Sequence, residues 1–118
     1  MTSSSPVVSD MFGSRSPLAE EYAKLLCTDG IERGLIGPRE ADRIWNRHIL
    51  NSALLCDILL ENSTVADIGS GAGLPGIPVA IARPDLEVFL IEPLLRRVTF
   101  LNEAVEKSVS YTHLTLPT

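Results

Sequence analysis

The chain has 118 residues, of which 45% are hydrophobic and 21% charged, the balance of a soluble globular protein with length enough for one domain and a sizeable core. No apolar run approaches the roughly 20 residues of a membrane span, which excludes a transmembrane helix within it. The net charge of −5 leaves any nucleic-acid binding to local basic clusters rather than to an overall basic surface.

Residues 1–14 are serine-rich, with neither a basic start nor a continuous apolar stretch, and read as a disordered leader rather than a secretory signal. A helical extension is expected over residues 15–62. Ser16 and Pro17 form a helix start, with Glu20 and Glu21 in the turns where the dipole favours acids. Leu18, Tyr22, Leu25 and Leu26 recur at i, i+4, i+7 and i+8, which predicts one buried face. Gly37-Pro38 ends that helix, and a second helical region is predicted from about Arg39 to Leu60. In it Arg39, Arg43 and Arg47 fall at successive i+4 steps, with His48 adjoining, so they are expected to share a side. Such a side is either a solvated face partly neutralised by Glu40 and Asp42, or a stripe that grips phosphates. Cys27 and Cys56 lie 29 positions apart without neighbouring histidines, so buried free thiols in a reducing cytosol are expected and a metal site is not.

Residues 63–107 carry the organising feature. Thr64-Val65-Ala66-Asp67-Ile68 is a β-branched and apolar run that ends in glycines at alternate positions, Gly69, Gly71 and Gly73. This predicts a buried parallel strand stopping in a tight turn whose main chain can approach a ligand. A helix opening near Pro75 or Gly76 would turn free N–H groups towards that ligand. After residues 77–82 in a short helix, Arg83-Pro84-Asp85 turns the chain into a second strand, Glu87 to Ile91, expected to be buried on both faces and to end at Glu92. Strand, glycine loop, helix, strand and acid make one complete βαβ unit of a doubly wound α/β fold.

Two cofactor classes use such a loop. Gly71-Ala72-Gly73-Leu74-Pro75-Gly76 fits the dinucleotide pattern, and Glu92, 21 positions beyond Gly71, falls where an acid accepts hydrogen bonds from a ribose. Asp67-Ile68-Gly69-Ser70-Gly71-Ala72-Gly73 fits the D-x-G-x-G-x-G loop of methyltransferases that use S-adenosylmethionine. Electrostatics favour the second, because a carboxylate at the strand end repels a pyrophosphate but suits an ammonium and a sulfonium. An NAD(P)-dependent oxidoreductase is the alternative.

A third helix is expected to place Leu94, Val98, Leu101 and Val105 against the sheet, with Arg96 and Arg97 in its first turn, where cations oppose the helix dipole and are either polyanion contacts or a surface pair with no role. Residues 108–118 show no strand or turn logic. With only two strands laid down, the chain reads as part of a longer protein, ending in vector or out-of-frame sequence.

Arg47-His48-Ile49-Leu50-Asn51-Ser52, then Ala66-Asp67-Ile68-Gly69-Ser70-Gly71-Ala72-Gly73-Leu74-Pro75-Gly76-Ile77-Pro78, Ile81-Ala82-Arg83-Pro84 and Arg96-Arg97-x-x-Phe100-Leu101 resemble one family. It is the bacterial 16S ribosomal RNA guanine-N7 methyltransferase family, also called RsmG or glucose-inhibited division protein B. The resemblance covers roughly residues 18–107, about the N-terminal half of such an enzyme, and Asn51 stands where many members have aspartate. It implies a class I methyltransferase fold with an N-terminal helical extension, S-adenosylmethionine as donor and 16S ribosomal RNA or a small-subunit precursor as acceptor. The expected protein is cytoplasmic and monomeric, with no membrane contact. The resemblance further implies that Asp67, Gly69, Ser70, Gly71, Ala72, Gly73, Leu74 and Glu92 bind the donor. Arg39, Arg43, Arg47, His48, Arg96 and Arg97 would then meet RNA. Guanine N7 has a lone pair and no proton to lose, so no general base is expected, and a chain with only this half of the fold should turn over weakly or not at all.

Overall fold

A computed structural model describes residues 6–108 and 112–115. Helix α1 (Pro6–Phe12) is followed by a 3-10 turn, Gly13–Arg15, and by α2 (Ser16–Leu25), which runs on as a π-helical turn, Leu26–Gly30. The leader expected over residues 1–14 is therefore corrected from residue 6 onwards, residues 1–5 lying outside the described part. Val8 and Phe12, one helical turn apart, are buried in the core, and the Arg15 guanidinium donates to the Ile81 carbonyl at 2.6 Å. A serine-rich composition hid two well-placed apolar residues.

The second helical region is not one α-helix. It is a 3-10 segment, Pro38–Arg43, a π-helical segment, Ile44–Ile49, helix α3 (Leu50–Ala53) and a second 3-10 segment, Leu54–Ile58. Ile44, Trp45, Ile49 and Ala53 are buried. Because the 3-10 winding has three residues per turn, Arg39 and Arg43 do not stand one above the other as α-helical spacing predicts.

Strand β1 (Thr64–Ile68), helix α4 (Gly76–Ala82), strand β2 (Glu87–Ile91) and helix α5 (Leu95–Ser108) form the expected βαβα unit. β1 and β2 are parallel, with Val65 opposite Val88 and Asp67 opposite Leu90. A third strand, β3 (Thr112–Thr115), pairs parallel to β2 with Leu90 opposite Leu114. The reading of residues 108–118 as lacking strand logic is corrected at these four positions, where threonines of high β-propensity extend the sheet at β2's free edge.

The strands alternate rather than being buried on both faces. Val88 and Leu90 are buried, whereas Thr64, Ala66 and Ile68 are exposed, Ile68 by 78%. α2 packs on both α4 and α5, and α4 packs on β2, so the helices cover the sheet face that carries Val88 and Leu90. The buried surface of α5 includes Val98, Phe100, Leu101 and Ala104, while Leu94, expected to face the sheet, is exposed just ahead of it.

Two arginines staple the extension to this unit. The Arg83 guanidinium donates to the carbonyls of Cys56 (2.8 Å) and Leu59 (3.0 Å) and to both oxygens of Asp85. The Arg33 guanidinium donates to Glu103 on α5 at 2.8 Å and to Asp29 at 3.2 Å. Cys27 and Cys56 form no disulfide and are only half-buried rather than fully inside, and burial pushes the Cys56 thiol up.

Candidate cofactor-binding site

The loop between β1 and α4 needs glycine at three successive alternate positions, with φ of +73° at Gly69, +58° at Gly71 and +97° at Gly73. These glycines serve different ends. A β-carbon at Gly69 would meet nothing within 4 Å, and one at Gly71 only the Gly69 carbonyl at 3.9 Å, so both border open space at the carboxyl ends of the strands. Gly73 is instead packed against the protein itself. A β-carbon there would stand 2.5 Å from the Ile77 Cδ1 atom and 3.0 Å from the Tyr22 hydroxyl. Gly73 therefore makes room for Tyr22 and Ile77, a packing role that its place in the alternating glycines did not announce. Gly76 is similar, since a β-carbon on it would collide with Leu90 and with Asp67 Oδ2.

Most of the loop's N–H groups are already used. Gly69 and Ser70 donate to the Ile91 carbonyl at 2.8 and 3.2 Å, and Gly73 donates to the Ser70 carbonyl at 2.8 Å. At the opening of α4, Gly76 donates to Asp67 Oδ2 at 3.1 Å and Ile77 to the Gly73 carbonyl at 2.8 Å. The helix start thus does not present these N–H groups to a ligand. Its anion position is filled by the protein's own carboxylate.

Asp67 is half-buried at the end of β1. Burial pushes its carboxyl above the usual range, the hydrogen bond from the Gly76 N–H and the nearby Ser70 hydroxyl pull the other way, and the Glu92 charge adds to the rise. The Ser70 hydroxyl donates its hydrogen to the Asp67 main-chain carbonyl at 2.8 Å, tying the buried Ser70 back to the strand end. Ala72 is buried and Leu74 half-buried, so of these two only Leu74 borders solvent.

Glu92 sits one residue past β2, 1% exposed, with both oxygens engaged. Oε1 accepts from the Gly71 N–H at 2.8 Å and Oε2 from the Leu94 N–H at 3.0 Å, and the Arg97 guanidinium lies 3.7 Å from Oε1. Burial pushes this carboxyl up. The two N–H bonds and Arg97 outweigh that and hold it below its ordinary value. The acid expected at the end of the second strand is therefore brought against the glycine loop, as the spacing from Gly71 predicts.

The basic residues are carried by three segments, Pro38–Arg43, Ile44–Ile49 and α5. Arg39, Arg43, Arg47 and Arg96 are exposed and His48 is half-buried. Arg43 and His48 both approach Glu40, at 3.6 and 3.1 Å. Arg96 reaches over the Gly34 turn, its Nη1 atom 3.9 Å from where a Gly34 β-carbon would be. Arg97 is turned to Glu92.

Sequence reasoning missed Tyr22 as part of this site. Its hydroxyl donates to the Ala72 carbonyl at 2.7 Å, and the side chain is fully buried. Burial, and after it the Asp67 charge, hold the phenol well above its ordinary value. The available signal was a phenol on the apolar face of a helix otherwise lined by leucines, since a buried hydroxyl requires a partner.

The family model described as rRNA small subunit methyltransferase G matches residues 15–116. The chain belongs to that family. Among curated members named ribosomal RNA small subunit methyltransferase G, the one from Mycobacterium sp. (strain JLS) is 61% identical over 101 residues, covering 86% of this chain and 45% of the relative. That from Frankia casuarinae is 59% identical over 100 residues, 85% of this chain and 38% of the relative. The Mycobacterium leprae protein is 62% identical over 95 residues, 80% and 39% respectively. The chain thus spans less than half the length of these methyltransferase G relatives. The parallel sheet, glycine loop and flanking helices are those of the class I methyltransferase α/β fold that membership implies. The oxidoreductase alternative finds no support, because the matched family is one of methyltransferases and Asp67 occupies the place where a pyrophosphate would need free N–H groups.

Proposed function

We propose that the protein methylates N7 of a guanine in 16S ribosomal RNA, with S-adenosylmethionine as donor. The observation that carries the donor assignment is the Asp67 carboxylate lying across the Gly76 N–H at the start of α4. A carboxylate in that position repels a phosphate and attracts an ammonium or sulfonium. The open space beside Gly69 and Gly71 supports the reading, since Asp67 and Glu92 both bond to this stretch of main chain, at Gly76 and Gly71.

When bound, the donor supplies an electrophilic methyl on a positively charged sulfur. Asp67 would hold its amino-acid end, while Gly69, Ser70, Gly71 and Leu74 shape the floor on which it rests. Glu92 would take the ribose, because each of its oxygens already accepts one main-chain N–H and has capacity for a second donor. No side chain need remove a proton, since guanine N7 attacks through a lone pair. Catalysis then rests on alignment and exclusion of water.

For the RNA, the exposed Arg39, Arg47 and Arg96 would contact phosphates directly, with Arg43 and His48 sharing Glu40 until a polyanion competes for them. The positioning of Arg97 beside Glu92 favours a part in holding the donor site over a phosphate contact. The protein is proposed to act in the cytoplasm as a monomer, and no helix among the described residues is long and apolar enough to cross a membrane. The test is incubation of the full-length gene product with unmodified 16S ribosomal RNA or small subunits and S-adenosylmethionine labelled in its methyl group. Label confined to one guanine, with strand scission there under conditions that cleave at N7-methylguanine, is expected. Label on another base or atom, or none, contradicts the proposal.

A further inference from the structure

The glycine loop is held in shape from outside the βαβ unit. The peptide joining Ala72 to Gly73 is fixed at both ends, its N–H donating to the Ser70 carbonyl at 2.8 Å and its carbonyl accepting from the Tyr22 hydroxyl at 2.7 Å. The first bond is internal to the loop. The second comes from α2, 50 residues earlier in the chain.

Three observations make this bond more than a chance contact. Tyr22 is fully buried and Ala72 nearly so, so the bond is sheltered from solvent and its loss is costly. Gly73, with φ of +97°, lacks a β-carbon where that atom would stand 3.0 Å from the Tyr22 hydroxyl, so the loop's backbone conformation and the phenol's position require each other. The neighbouring Gly71 N–H is held by Glu92 and the Gly76 N–H by Asp67, the two acids assigned to the donor. A rotation of the Ala72–Gly73 peptide would therefore displace main chain that both acids grip.

We propose that Tyr22 is a positioning residue for the donor site, its phenol fixing the Ala72–Gly73 peptide in the orientation in which Asp67 and Glu92 can take the donor. The inference rests on the methyl-donor reading of the loop and goes beyond it by making the helical extension part of the donor site's construction. Without the phenol oxygen a buried carbonyl has no partner, and the loop spends part of its time in other orientations. The affinity for donor falls in proportion to the fraction that remains competent.

The test is Tyr22→Phe in the full-length gene product, which keeps the ring and removes only the oxygen, with calorimetric titration of S-adenosylhomocysteine as probe. The expected result is about tenfold weaker binding, the size that one orphaned buried acceptor produces. The KM for S-adenosylmethionine should rise by a similar factor while kcat and the KM for RNA hold, and the Gly73 amide should exchange its hydrogen faster. Val8→Ala, which loosens the fully buried core of α1 without touching the loop, controls for general destabilisation and should leave donor affinity within about twofold. Unchanged affinity in Tyr22→Phe overturns the inference and leaves the donor reading standing. Equal weakening by Val8→Ala also overturns it, by showing that any loosening of the extension suffices. If the unmutated protein does not bind S-adenosylhomocysteine, the donor reading fails and the inference with it.

Discussion

Replacing Gly73 by alanine separates two reasons for a glycine in the loop. At φ of +97° an alanine is strained whatever the space around it, at a cost of about 1–2 kcal/mol. Its methyl would also stand 2.5 Å from Ile77 Cδ1 and 3.0 Å from the Tyr22 hydroxyl. Ile77 is fully buried, so its terminal methyl can rotate away only into occupied space, and Tyr22 can retreat only by lengthening its bond to Ala72. Overpacking of this kind adds about 1–2 kcal/mol, the low end of its range because one of the two neighbours is the tip of a side chain. The total is about 2–4 kcal/mol, a fall of at least about 8 °C in melting temperature for a domain of this size. Gly69→Ala is the internal control. It has the same sign of φ, at +73°, but open space around it, so it should cost only the strain. Urea unfolding of the two variants beside the parent chain measures the difference. If Gly73→Ala unfolds no more easily than Gly69→Ala, Gly73 is not packed against Tyr22 and Ile77, and the division of the glycines into those bordering open space and those packed against protein is wrong.

Two further outcomes follow from the ion pairs. Arg83→Lys should lower the melting temperature by several degrees and Arg83→Ala by more, because an ammonium cannot serve two carbonyls and both oxygens of Asp85 together; equal melting points for the three proteins would refute the staple. The Arg83 guanidinium and the Asn62 N–H hold the Asp85 carboxyl far below its ordinary value, so the stability it contributes is fully present above the unfolded-state pKa of about 4 and is lost as pH falls towards the folded-state value. Asp85→Asn should accordingly flatten the acid limb of a melting-temperature profile below about pH 4, and an unchanged limb would contradict the assignment.

The glycine loop and its two acids were legible in the sequence because their chemistry is local. Alternate glycines, a strand-terminal carboxylate and a second acid 21 positions past Gly71 specify strands, turn and register with little help from distant residues. What escaped was set by tertiary contact. The core role of Val8 and Phe12 needs α2, α3 and α4 to be in place before it can be seen. Tyr22 counted only as one apolar position among four until its hydroxyl was found against Ala72. The basic stripe was drawn on an α-helical net, and the 3-10 and π windings of residues 38–49 redistribute it. The double-sided burial expected of β1 fails for a related reason, since the helices formed by this chain pack on one side of the sheet.

The claim on which the account turns is that Asp67 selects a cationic donor. Calorimetric titration of the full-length gene product and of its Asp67→Asn variant with S-adenosylhomocysteine and with NAD tests it most directly. An asparagine oxygen can still accept from the Gly76 N–H, so the variant should stay folded while its affinity for S-adenosylhomocysteine falls about tenfold or more, and NAD should bind neither protein. Undiminished S-adenosylhomocysteine binding by Asp67→Asn, or tight NAD binding by the unmutated protein, would contradict the account.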